Sequence, residues 1–80
     1  MAEELDLRGL KCPLPVLRTQ KRLAAMPAGA MLRVLADDPL AGIDIPHLCR
    51  EDGHVLVETL PSTSGGIAFT IRRGIRGSAA

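Results

Sequence analysis

The sequence predicts a two-layer α/β (α+β) sandwich, β-α-β-α-β-β, with a four-stranded mixed sheet carrying two helices on one face. Three observations predict it. Segments of helical period follow Pro13 and Pro39, and each is flanked by segments of period two. The last two strand patterns are joined by "PSTSGG", a loop that ends in two glycines and reads as a hairpin. In the final strand Ile67, Phe69 and Ile71 alternate with Ala68, Thr70 and Arg72, so only one sheet face is expected to be deeply buried. Eighty residues make a single domain, 1–80, with an ordered core over about 4–74 and a tail, 75–80, expected to be flexible.

Taken in order, "ELDLR" (Glu4–Arg8) alternates, with Leu5 and Leu7 on one side, and reads as a strand. Gly9 supplies the tight turn that follows. From Pro13 to about Met26 the pattern is helical, with Val16, Leu17, Gln20, Leu23 and Ala24 on one face, and Pro27 and Gly29 end it. "AMLRVLA" (Ala30–Ala36) is the second strand. "DDP" reads as a helix start, with Asp38 as N-cap and Pro39 at the first position. The helix should reach about Asp52 and stop at Gly53, with Pro46 breaking it and Asp44 capping a restart. His54–Leu60 and Ile67–Arg73 complete the sheet. The first β-α-β crossover is expected to be right-handed.

Composition excludes several classes. The net charge is +1 and Phe69 is the one aromatic residue, so a basic face lined with stacking platforms is not on offer and direct DNA binding is not expected. The N-terminus lacks the apolar stretch of a signal peptide, and no apolar run is long enough to span a membrane. Two cysteines cannot form the disulfide framework of a small secreted fold. A cytoplasmic monomer with reduced thiols follows as the expectation. Cys12, Cys49, His47 and His54 lack the paired spacing of a zinc site, so no metal is expected. "STSGG" leads into a strand and lacks the lysine of a phosphate loop.

The chemistry concentrates at "RGLKCPLPVLR". Cys12 stands directly before Pro13 and Pro15, at the point where a helix should begin. Proline is tolerated in a first helical turn, where its absent N–H would have found no partner, and it fixes the backbone that presents the thiol. The positive end of the helix, with Arg8 and Lys11 nearby, should favour thiolate. A helix terminus contributes roughly 0.3–1 kcal/mol, which raises the thiolate fraction at neutral pH from ~3% to ~14% at most. Such a thiol suits attack on an already activated sulfur. No CxxC follows it, and a cysteine filling a loop as a small hydrophobe is the plain alternative.

"LDLRGLKCPLPVLRTQKRL" followed by "VLADDPLAGIDIPHLCREDGHVLVE" closely resembles the TusA/SirA/YedF family of small sulfur carriers. The likeness is carried by Asp6-Leu7-Arg8-Gly9, by Cys12-Pro13-Leu14-Pro15 as the family's CPxP motif, and by Asp37-Asp38-Pro39. It continues through Asp44-Ile45-Pro46, Cys49 and Arg72-Arg73-Gly74. The resemblance implies the same sandwich fold and a sulfurtransferase that acts as a carrier. Cys12 would be the catalytic residue, supported by Pro13, Pro15, Arg8 and Lys11. It would need no cofactor beyond a transient persulfide on Cys12. The implied partners are a cysteine desulfurase or other sulfur donor and a downstream acceptor protein. Family branches serve tRNA 2-thiouridine synthesis, molybdenum-cofactor assembly, sulfur oxidation or selenium metabolism.

Arg18, Lys21 and Arg22 form a basic stretch that is either a solvated face or a docking patch for an acidic partner. Cys49 lies among Ile45 and Leu48 and reads as a packed thiol, with a secondary sulfur site as the alternative. Two other functions stay open at this level. One is a non-catalytic protein- or RNA-binding regulatory module. The other is a redox sensor in which Cys49 resolves an oxidised Cys12, which requires Cys49 to be exposed.

Overall fold

The structure, a computed structural model, describes residues 3–63 and 65–74; the tail over 75–80 lies outside them. The chain runs β1 (Glu3–Asp6), α1 (Leu14–Ala24), β2 (Met31–Ala36), α2 (Ala41–Asp52), β3 (Val55–Pro61) and β4 (Ile67–Arg72). This is the expected order. The sheet is mixed, ordered β1-β2-β4-β3, with β1 parallel to β2 and the other two pairs antiparallel.

Register explains the core. Leu5, Val34 and Phe69 lie abreast across three strands, as do Leu32, Ile71 and Leu56, and both rows face the helices. Leu23 covers them from α1, Met26 from the turn that follows it, and Ala41, Ile45 and Cys49 from α2. The opposite sheet face carries Glu4, Arg33, Thr70 and Glu58 in one row. That face is not wholly open, because Leu35 and Ala68 pair on it and both are buried. The clean alternation expected for β4 therefore fails at Ala68.

Two helix readings also change. The buried stripe of α1 is Pro15, Thr19 and Leu23, while Leu17 and Ala24 are exposed. A polar Thr19 took a position at i+4 from Pro15 and i−4 from Leu23, which a search for apolar periodicity passes over. Helix α2 is continuous through Pro46, and neither Asp38 nor Asp44 caps it; the N-cap is Leu40, without a side-chain bond. The hydrogen bond that Pro46 cannot donate would have gone to the carbonyl of Gly42, an exposed residue that water can reach.

The parallel pairing of β1 and β2 decides where the loops go. Leu7 N–H continues the pairing by donating to the Leu35 carbonyl (2.7 Å), so the segments after β1 and after β2 leave the sheet side by side. The β3–β4 hairpin turns at the same end. Gly66 has φ +79°, and a Cβ there would strike the Ala36 carbonyl. At the far end, Arg73 N–H donates to the Ala30 carbonyl (2.8 Å), Gly29 N–H donates to the Arg73 carbonyl (2.9 Å), and Gly74 N–H donates to Nδ1 of buried His54 (2.9 Å).

Candidate functional site

Cys12 is exposed in the loop between β1 and α1, and the Cys12–Pro13 peptide bond is cis. Pro13 is the N-cap of α1 and Pro15 its second residue, so both prolines stand at the helix start as expected. The loop is fastened from below by the two residues that follow β2. Asp37 Oδ1 accepts the Gly9 N–H (2.9 Å), and Asp38 Oδ2 accepts the Cys12 N–H (2.6 Å). Gly9, at φ +89°, makes the turn that brings its N–H there. Asp44, in the first turn of α2, then reaches the thiol itself: Cys12 Sγ–H donates to Asp44 Oδ2 across 3.5 Å.

The electrostatics differ from the expectation. The Cys12 thiol is pushed up from its ordinary value by loss of solvation, then by the hydrogen bond to Asp44 and the negative charges of Asp44 and Asp38. Of the basic neighbours in sequence, Arg8 is engaged with Asp6. Arg8 donates to Asp6 through Nε (2.9 Å) and Nη2 (2.7 Å), and these bonds draw the Asp6 carboxyl down to about 2. The helix end contributes less than assumed. Leu14 donates its N–H to the Lys11 carbonyl (2.8 Å), and Pro15 has none to offer. The carboxylates of Asp44 and Asp38 beside Cys12 therefore favour the thiol over the thiolate.

Beside it a cleft of about 360 Å³ opens between α1 and α2, lined among others by Pro13, Gln20, Asp44, His47, Glu51 and Asp52. Gln20 Nε2 donates to Asp52 Oδ2 (3.0 Å) and ties the two helices across it. His47 is thus brought to the cysteine's side of the molecule. His54 is not: it sits at the far end, where burial pushes its imidazole down. Arg18, Lys21 and Arg22 gather on the other flank of α1 around Leu5, and Arg22 pairs with Glu3. Among the described residues no group of three or more His, Cys, Asp or Glu is arranged to hold a metal ion, and no helix is long and apolar enough to cross a membrane.

Cys49 is 2% exposed, packed in the core, and its thiol is pushed up to about 11, by burial first and then by Asp52. The requirement of the redox-sensor reading, an exposed Cys49, is not met. Titrating the folded protein with an aromatic disulfide reagent should accordingly consume one thiol quickly, Cys12, with Cys49 released only in denaturant. Two rapid equivalents would contradict this packing.

Sequence reasoning missed Asp37, Asp38 and Asp44 as site residues, having assigned two of them to helix caps. A signal was available. Once β1 and β2 were read as a parallel pair joined by a helix, the residues just past each strand had to meet, and these are the Cys12 loop and Asp37-Asp38.

The family model for sulfurtransferase TusA matches residues 3–73. A Neisseria meningitidis protein whose name marks it as a proposed sulfur carrier is 53% identical over 57 residues, 71% of this chain and 77% of its own. The sulfur carrier protein TusA of Allochromatium vinosum is 39% identical over 71 residues, 89% of this chain and 92% of its own. The crystal structure of a SirA-like protein from Desulfitobacterium hafniense superposes with a TM-score of 0.78 at 32% identity, covering 89% of this chain and 96% of that one. With a fold and a family match that both span nearly the whole domain, the chain belongs to the TusA family of sulfur carriers.

Proposed function

We propose that this protein carries sulfane sulfur as a persulfide on Cys12, taking it from a cysteine desulfurase or another sulfur-donor protein and handing it to a downstream acceptor. The observation that carries this reading is the presentation of Cys12. It is exposed at the head of a helix, with prolines on both sides of Leu14 and its own N–H held at 2.6 Å by Asp38. A thiol so placed can enter two partners in turn without rearranging its own backbone. The other thiol is buried, so sulfur has one place to land among the described residues. Acceptors in tRNA thiolation, molybdenum-cofactor assembly or other sulfur metabolism all fit this chemistry.

The test is intact mass spectrometry after incubation with a cysteine desulfurase, pyridoxal phosphate and L-cysteine. Wild type and Cys49→Ala should gain one sulfur that reductant removes, and Cys12→Ala should gain none. If wild type stays unmodified by desulfurases that load other acceptors, the carrier reading fails. A non-catalytic interaction module would then be favoured, and Cys12→Ser would retain its function.

A further inference from the structure

A carboxylate beside a nucleophilic thiol is costly, because it keeps the proton on and lowers the thiolate fraction. Asp38 has a structural reason to be there, since it holds the Cys12 N–H and also accepts from Leu40 N–H (3.4 Å). Asp44 touches no backbone group of the loop; its Oδ2 meets Sγ alone among the bonds described. It is also held firmly. It is one residue before fully buried Ile45 on a continuous helix that Leu48 and Cys49 anchor in the core. A general base must lie within hydrogen-bond reach of the proton it takes, and 3.5 Å is that reach for a thiol.

We propose, on the reading that Cys12 is the carrier, that Asp44 is the proton-transfer residue of the relay. As Cys12 Sγ attacks the terminal sulfur of the donor's persulfide, Asp44 takes the Sγ proton. The new Sγ–S bond forms while the donor's S–S bond breaks, and the electron pair leaves on the donor sulfur. Asp44 then returns the proton to that departing thiolate. The sum is a thiol and a persulfide exchanged for a persulfide and a thiol, with no outside oxidant or reductant. In delivery the path reverses. The acceptor's thiol gives its proton to Asp44 as it attacks the outer sulfur, and Cys12 must leave with the electron pair of the breaking S–S bond. A basic thiolate is a poor leaving group, so protonation by the Asp44 carboxyl as it departs is the step that frees it. The two acids near Cys12 thus divide the work: one fixes the backbone and the other moves the proton.

The test compares two reactions of the same thiol in wild type, Asp44→Asn and Asp44→Glu, with far-ultraviolet circular dichroism and urea midpoints confirming the fold. Alkylation by iodoacetamide needs only thiolate. Sulfur uptake from glutathione persulfide, followed by quenched intact mass, needs the proton moved. In Asp44→Asn, alkylation near neutral pH should quicken, because the charge that kept the proton on is gone. Uptake should fall by about 100-fold, the lower end of general acid–base contributions. Asp44→Glu should restore part of the uptake. If uptake in Asp44→Asn rises along with alkylation, Asp44 only sets the acidity of the thiol and the proposal is overturned. It is equally overturned if neither Asp44 variant changes uptake. Failure of the carrier reading looks different, since wild type itself would then take up no sulfur from either donor.

Discussion

Asp38→Ala is expected to loosen the Cys12 loop and weaken the whole domain together. Its carboxylate is buried and accepts the Cys12 N–H across 26 positions of sequence, at 2.6 Å. Hydrogen bonds to charged groups contribute about 1.5–3 kcal/mol, and here the loss also strands a partly buried N–H. With a urea slope of about 1 kcal/mol/M for so small a protein, the midpoint should fall by ~1.5–3 M. Persulfide loading of Cys12 should drop as well, since the thiol would no longer be held in one place. Asp38→Asn keeps an acceptor without the charge and should recover most of the stability. Asp37→Ala, which releases the Gly9 N–H from an exposed side chain, sets the comparison. Equal losses in Asp37→Ala and Asp38→Ala, by urea melt and by loading assay, would contradict this account.

Phe69→Ala should cost more stability than any change at the site. Phe69 is the one aromatic residue of the chain and is fully buried in the middle of the sheet, between Val34 of β2 and Thr59 of β3. Truncating a core phenylalanine costs about 3–5 kcal/mol, from lost burial and from the cavity left behind. Domains of this size have roughly 4–12 kcal/mol in all, at 0.05–0.15 kcal/mol per residue. At the lower end of that range the variant would be unfolded at room temperature. The measurement is thermal or urea denaturation against Phe69→Leu, which refills most of the space and should stay folded. A Phe69→Ala midpoint within 1 M of wild type in urea, about 1 kcal/mol at the slope expected here, would show that the centre collapses around the gap.

Much of the fold was legible because its signals are local. Period-two and period-3.6 segments, the glycine at Gly53 that ends α2, and the paired glycines of the hairpin each follow from their own neighbourhood. Cys12 was legible for the same reason, standing before Pro-x-Pro at a helix start. What misled were residues whose partners are distant in sequence. Asp38 and Asp44 carry the signature of helix caps, and in a sequence that is their best use. Here each meets Cys12 instead, 26 and 32 positions away. The thiol's acidity went wrong on the same ground: Arg8 and Lys11 are near it along the chain, while the charges that surround it come from α2 and the loop before it. Pro46 misled in another way. A break was expected where the helix instead continues, with the deprived carbonyl on an exposed glycine.

The placement of the first and last described residues has an architectural consequence. Glu3 opens β1 opposite Leu32, and Gly74 closes the described chain beside His54, so both lie at the end of the sheet away from Cys12. Strands of six residues set these ends roughly 20 Å apart. Chain leading into Glu3 or away from Gly74 therefore meets the described fold at the base of the molecule. The exposed thiol of Cys12 would still face outward at the crown. A domain wired this way can be joined to a longer polypeptide through Glu3 or Gly74 with the joint about one strand's length from Cys12.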